Sequence, residues 1–177
     1  MFRKERRSKA QSKKMLAVAL VTLLEKKELN EIKITELTKK ADLSRKTFYK
    51  NFDVKEDVLE YFEKMIYTEM FTIINQSNVN TIYDVGIIVF SHVLDYKQEF
   101  KILYDKNLLY SSTVIDKLAK DQPELFLRFD HIIKPGKNDF EDAFIFGGFI
   151  FILVEWIKND FKQTTTFLAK LLEDKLT

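Results

Sequence analysis

The residues able to do chemistry lie close together in this chain. From Ser44 to Lys55 it reads SRKTFYKNFDVK, with the cations Arg45, Lys46, Lys50 and Lys55, the hydroxyls of Ser44, Thr47 and Tyr49, and the amide of Asn51. Such groups donate hydrogen bonds to phosphate oxygens and to base edges, and Arg does so through a planar fork that can bond both guanine acceptors at once. Little elsewhere could run a reaction. The chain has no Cys, which removes thiol nucleophiles, thiolate metal sites and disulfides. His92 and His131 are its two histidines, few for metal ligation or general base work. No Gly-rich phosphate loop, nucleophile elbow or H-E-x-x-H pattern is present. The pattern is that of a binding surface, and neither an enzyme nor a cofactor is expected.

The elements that must position these residues are helices. Only 4 Gly and 2 Pro occur among 177 residues, and none of them precedes Gly86, whereas strand-rich folds need turn residues at short intervals. With 46% hydrophobic and 32% charged residues, the chain is an ordinary globular one, long enough for one compact body with a small appended module. The net charge of +2 conceals an asymmetry. Residues 1–55 hold 16 Lys and Arg against 7 Asp and Glu, a balance of +9, and residues 56–177 hold 13 against 20, a balance of −7. A basic third on an acidic remainder suggests a nucleic-acid-binding module joined to something else.

The basic start followed by Met15–Leu24 (MLAVALVTLL) superficially matches a signal peptide. However, Leu16, Ala19, Leu20, Leu23 and Leu24 follow the stripe of an amphipathic helix, and no small-residue cleavage site follows. The run Ala143–Val154 is 12 residues long, short of the roughly 20 that cross a bilayer. A soluble, cytoplasmic protein is expected, with no membrane partner.

The spacing then predicts a first helix ending near Lys27. Ile34, Leu37, Thr38 and Ala41 mark a second, short helix. Asp42-Leu43-Ser44 breaks it, and Asp tolerates the left-handed conformation such a turn needs. Ser44 is a good N-cap for a third helix from Arg45 to about Phe52. Asp53 and Glu56 form a candidate capping box for a fourth helix running to about Gln76, its stripe Val54, Val58, Leu59, Phe62, Ile66, Met70 and Ile73. Two short helices joined by a tight turn, behind a longer scaffold helix, describe a helix-turn-helix unit. Leu43, Phe48 and Phe52 are its expected core.

The stretch ITELTKKADLSRKTFYKNFDVKEDVL resembles the helix-turn-helix signature of TetR-type (TetR/AcrR) transcriptional regulators. That signature is a short helix ending in Ala, a turn, then Ser-x-x-Thr-x-Tyr-x-x-Phe and a Lys opening the next helix. Ala41, Ser44, Thr47, Tyr49, Phe52 and Lys55 stand at that spacing, and the resemblance covers residues 13–60 or so. Two positions depart from it: Lys33 stands where Thr or Ser often caps the second helix, and Asp42 where Gly is usual. The resemblance implies an all-α protein, with a three-helix DNA-binding domain over 1–53 and a helical effector-binding and dimerisation bundle over 54–177. The third helix would enter the major groove. Arg45 and Lys46 would then face guanine, Thr47 a thymine methyl or a phosphate, and Tyr49 a phosphate; Lys50 and Asn51 are further contacts. Lys55, in the first turn of the next helix, would meet phosphate where the helix dipole already attracts it. Arg3, Lys4, Arg6, Arg7, Lys9, Lys13 and Lys14 form a basic arm, which either tracks phosphates or a minor groove, or adds nonspecific affinity alone.

Beyond residue 80 the spacing gives helices near 81–95, 97–108, 111–120, 123–133, 138–159 and 163–175, with Pro123 opening one and Pro135-Gly136 marking a turn. Phe144, Phe146, Phe149, Phe151 and Trp156 surround the long apolar helix, which reads as buried on most sides. Phe90, Tyr96, Phe100, Tyr104, Phe144 and Trp156 are candidates to line a pocket for a small apolar or aromatic effector, against the plainer reading that they are core. His92 and His131 read as ordinary histidines. Gly147, Gly148 and Phe151 are candidates for a homodimer interface; a tight crossing within the chain would explain the glycines equally well. The leading expectation is a homodimeric regulator, a repressor before an activator, that occupies a palindromic operator and is released by an effector. A regulator or coactivator switched by a protein partner, and a helical membrane-surface or interaction protein, are the alternatives.

Overall fold

The structure, a computed structural model, describes residues 8–109, 111–125, 132 and 139–176. Among these the regular elements are all helical: α1 (Lys9–Leu24), α2 (Ile34–Lys40), α3 (Arg45–Asn51), α4 (Lys55–Gln76), α5 (Ile82–Asp95), α6 (Lys97–Asp105), α7 (Ser111–Asp121), α8 (Asp139–Lys158) and α9 (Thr165–Leu176). Two 3₁₀ turns, Leu29–Glu31 and Pro123–Leu125, complete the list. Pro123 thus opens a single turn, and most of the helix expected over 123–133 lies outside the described residues, as does His131. No described helix is long and apolar enough to cross a membrane. The chain divides into two compact units, Met1–Glu63 and Lys64–Thr177, so that α4 belongs to both.

Scarce glycine shapes the helix ends. α2 closes on Asp42, whose φ is 51°, with Leu43 N–H donating to Thr38 O (2.9 Å) and Asp42 N–H to Lys39 O (3.2 Å). This is a complete Schellman closure, which glycine most often fills. The same pair of bonds ends α6 at Asn107 (φ 54°) and α8 at Asp160 (φ 52°). Short polar side chains replace glycine at all three places because they enter the left-handed region at lower cost than other residues.

In the first unit, Leu16, Ala19, Leu20 and Leu24 of α1 are buried as their spacing predicts, together with Ala17 and Val21. Leu37 of α2, Phe48 and Phe52 at α3, and Val58, Leu59 and Phe62 of α4 are buried in the same unit. α1 is therefore a core helix of this unit. Three expectations fail here. Leu43 is only half-buried, and Val54 is exposed. The box at the start of α4 is not Asp53 with Glu56: the Asp57 carboxylate reaches back and accepts from Asp53 N–H and Val54 N–H, both at 3.1 Å.

In the second unit α5 crosses α9 at Gly86. A Cβ there would stand 2.9 Å from Ala169 Cα and 3.0 Å from its Cβ, so only glycine allows this approach. Ile73, expected on the buried stripe of α4, is exposed, and Tyr67, Phe71 and Ile74 are buried instead. The helix expected to be buried on most sides is not: α8 buries Phe149, Leu153, Trp156 and Ile157 but exposes Phe144 (77%) and Phe151 (76%). At Gly147 and Gly148 no described atom comes within 4 Å of where a Cβ would be, so no described helix crosses α8 closely there.

Candidate nucleic-acid interface

The expected site is built on seven residues of helix. Ser44, extended at φ −89° and ψ 154°, accepts from Thr47 N–H through its Oγ at 3.0 Å, the N-cap its residue type favours. Its hydroxyl also lies 2.9 Å from Thr47 Oγ1. Phe48 fixes the helix from beneath. It is fully buried, with ring centroids 5.2 Å from Tyr49 and 6.2 Å from Phe52. Anchoring on Phe48 turns the opposite face outward by the helical period. Ser44, Arg45, Lys46, Tyr49 and Lys50 are exposed, Tyr49 at 54%, and Thr47 is half-buried beside its cap. α3 thus presents three cations and a phenol with no acid among its residues. Lys39 and Lys40, not singled out from the sequence, add two exposed cations on the last turn of α2.

Two expected contacts are otherwise engaged. Asn51 donates from Nδ2 to Thr47 O at 2.7 Å within its own helix, and its Oδ1 is buried without a hydrogen-bond partner. Neither end of that amide is offered to a base in this arrangement. Lys55 Nζ donates to the carbonyls of Leu29 (2.5 Å), Ile32 (2.7 Å) and, at longer range, Asn30 (3.4 Å). Lys9, Lys13 and Lys14, read as part of a basic arm, belong to α1. The Lys13 ammonium sits 5.0 Å from the Phe52 ring centroid and 5.1 Å from that of Tyr61, a cation–π arrangement inside the unit. Arg3, Lys4, Arg6 and Arg7 lie outside the described residues.

The six aromatics expected around an effector are not one group. Phe90, Phe100 and Trp156 are buried, with Trp156 edge-on to Phe90 at 5.4 Å and to Phe161 at 5.0 Å. Trp156 Nε1–H donates to Gln163 O at 3.0 Å. Tyr96 and Tyr104 are half-buried. The Tyr96 hydroxyl donates to Glu69 Oε2; burial, then that carboxylate, pushes its pKa upward. Phe144 is exposed and cannot line a pocket as placed. His92, read from the sequence as an ordinary histidine, is buried with Nε2 3.1 Å from Ile66 O and its ring 5.3 Å from that of Tyr96.

No protein-family model matches the sequence, and no curated protein matches it. Solved structures do. The chain is similar to the dihydroxyacetone kinase operon activator DhaS, with a TM-score of 0.62 and 18% identity over 93% of each chain. It is also similar to the fatty acid degradation regulator FadR from Bacillus halodurans, with a TM-score of 0.60 and 17% identity, covering 98% of this chain and 96% of that one. These likenesses extend over nearly the whole length and establish the fold: an N-terminal helix-turn-helix followed by a helical body.

Proposed function

We propose that this chain is a DNA-binding transcriptional regulator that acts as a homodimer on a palindromic site. The observation that carries this reading is α3: a short helix capped by Ser44, anchored by Phe48, and presenting Arg45, Lys46, Tyr49 and Lys50 to solvent. Major-groove readers have this construction, their first residues nearest the bases. The helical body of the two similar structures, one named an operon activator and the other a regulator, supports the reading at the level of fold. Two copies would occupy half-sites about one helical turn, ~34–36 Å, apart. Repression relieved by an effector is the mode we carry forward.

A second reading, switching by a protein partner in place of a small molecule, is favoured by one observation. Phe90 and Phe161 each pack edge-on to Trp156 in the core, while Phe144, Phe151 and Phe167 are turned outward. The test of the main reading is binding to duplexes that include palindromes near the protein's own coding region. Affinity should fall steeply with salt. Tyr49→Phe should weaken binding across sequences, and Arg45→Ala should also relax base preference. Failure of the wild-type protein to retain any duplex at low salt would refute it.

A further inference from the structure

Lys55 stands where an interfacial lysine was expected, yet its surroundings are those of a structural joint. An ammonium has three hydrogens, and the carbonyls of Leu29, Asn30 and Ile32 lie within reach of all three. Those carbonyls belong to the 3₁₀ turn Leu29–Glu31 and to Ile32, its C-cap. The end of a helical turn is short of donors and carries partial negative charge, so a cation is its natural complement. The turn is itself held from its start: the Glu31 carboxylate accepts from Glu28 N–H at 2.9 Å, and Glu31 N–H donates to Glu28 O at 3.0 Å. Just ahead of it, Lys27 Nζ donates to both oxygens of Glu36, at 2.7 and 2.9 Å.

The start of α4 also offers phosphate little. Glu56 and Asp57 occupy its first turn, and the Asp57 carboxylate already accepts from Asp53 N–H and Val54 N–H. An arriving phosphate would meet two carboxylates and a lysine whose hydrogens are engaged.

We propose that Lys55 is a positioning residue. It latches the first turn of α4 to the connection that precedes α2, holding α2 and α3 in the pose that reads DNA, and does not itself contact phosphate. The functional half of this proposal rests on the DNA-binding reading above; the latch does not.

The test uses the full chain, Lys55→Met, which removes donors and charge, and Lys55→Gln, which removes the charge but keeps two donors. Binding is measured over a salt series to a duplex the protein selects from a random-sequence pool and to a scrambled duplex, beside thermal unfolding of the free protein. Lys55→Met should lower the midpoint by about 3–10 °C. It should reduce the preference for the selected duplex about tenfold and leave the slope of log affinity against log salt unchanged. Lys55→Gln should recover much of both losses.

A slope reduced by about 0.9 in either variant would mark a lost phosphate contact and overturn the proposal. An unchanged midpoint would also overturn it, as would a lowered midpoint with full preference retained, which is a structural role alone. Should Lys55→Met not fold, the Gln variant carries the same comparisons. If the wild-type protein binds no duplex, the regulator reading falls, while the midpoints of the two variants still decide whether the latch exists.

Discussion

Replacing Gly86 by alanine should destabilise this protein although alanine is the better helix former. Gly86 lies inside α5, and a Cβ there would stand 2.9 Å from Ala169 Cα and 3.0 Å from Ala169 Cβ of α9. Carbon atoms pack at roughly 3.5–4.0 Å, so α9 would have to withdraw by more than half an ångström. The nearest atom is backbone, which no change of rotamer moves. The substitution gains about 1 kcal/mol of helix propensity and loses about 1–3 kcal/mol to overpacking, with a backbone obstacle at the upper end. The net loss of about 1–2 kcal/mol corresponds to roughly 2–8 °C in Tm for a chain of this size.

Gly147→Ala and Gly148→Ala supply the control. No described atom lies within 4 Å of either Cβ position, so each variant should gain up to about 1 kcal/mol, or roughly 2–4 °C. Thermal unfolding followed by circular dichroism measures all three, at matched concentration because self-association makes Tm depend on it. A second variant, Gly86→Ala with Ala169→Gly, removes the Cβ obstacle and leaves the Cα obstacle, so it should not restore the wild-type midpoint. A Gly86→Ala midpoint at or above wild type would refute the reasoning. A Gly148→Ala midpoint that rises in dilute solution and falls in concentrated solution would mean a second copy covers that glycine.

Other outcomes follow from the same geometry. At Asp42, held at φ 51°, glycine should be more stable than alanine by about 1 kcal/mol, the reverse of their order inside a helix; comparing the Tm of Asp42→Gly with Asp42→Ala checks this, since both lack the carboxylate. Phe151→Asp should leave the fold intact, because the ring is 76% exposed, but should give monomers in sedimentation and reduced retention of a palindrome. The Asp84 carboxyl is held below its usual pKa, chiefly by the amide of Asn80 and then by the Thr81 hydroxyl. Its contribution is therefore complete above the unfolded value near 4 and lost as pH falls through the lower folded value. Tm measured from pH 7 to pH 2 should show wild type above Asp84→Asn at neutral pH, the gap closing below about pH 4.

What could be read in advance was local. Ser44 as cap, Asp42 as left-handed terminator and Phe48 as anchor each follow from the residue and its immediate neighbours, and the structure has all three. Lys55 shows where that kind of reading stops. Its type says cation, and a cation near basic neighbours reads as a phosphate ligand. Its partners are backbone carbonyls 23 to 26 residues away, and every residue carries a carbonyl, so no side-chain pattern could have pointed to them. The capping register of α4 failed for a smaller reason. Glu56 and Asp57 are both acids in the first turn of α4, and only the backbone course decides which one turns back.

The aromatic helix α8 failed differently, and the failure is informative. Rings on every side of a helix indicate that every side is covered, but not by what. Within the chain one face is covered, by the packing of Phe149, Leu153, Trp156 and Ile157. Phe144, Gly148 and Phe151 lie on one stripe, spaced i, i+4, i+7, and are exposed. A buried aromatic ring removes about 150–250 Å² from water. At 77% and 76% exposure, the two rings leave about 230–380 Å² uncovered, a third to a half of the ~800 Å² that each partner contributes to a standard interface. That is the proportion expected of an interface core within a wider polar rim. A glycine between the two rings lets a second helix approach the backbone, at a cost of about 1 kcal/mol to the isolated chain. In the dimer reading, the sequence pattern that misjudged the monomer is therefore correct for the assembly. Burial on all sides is then a property of two chains, which is why alanine at Gly148 should help the monomer and harm the pair.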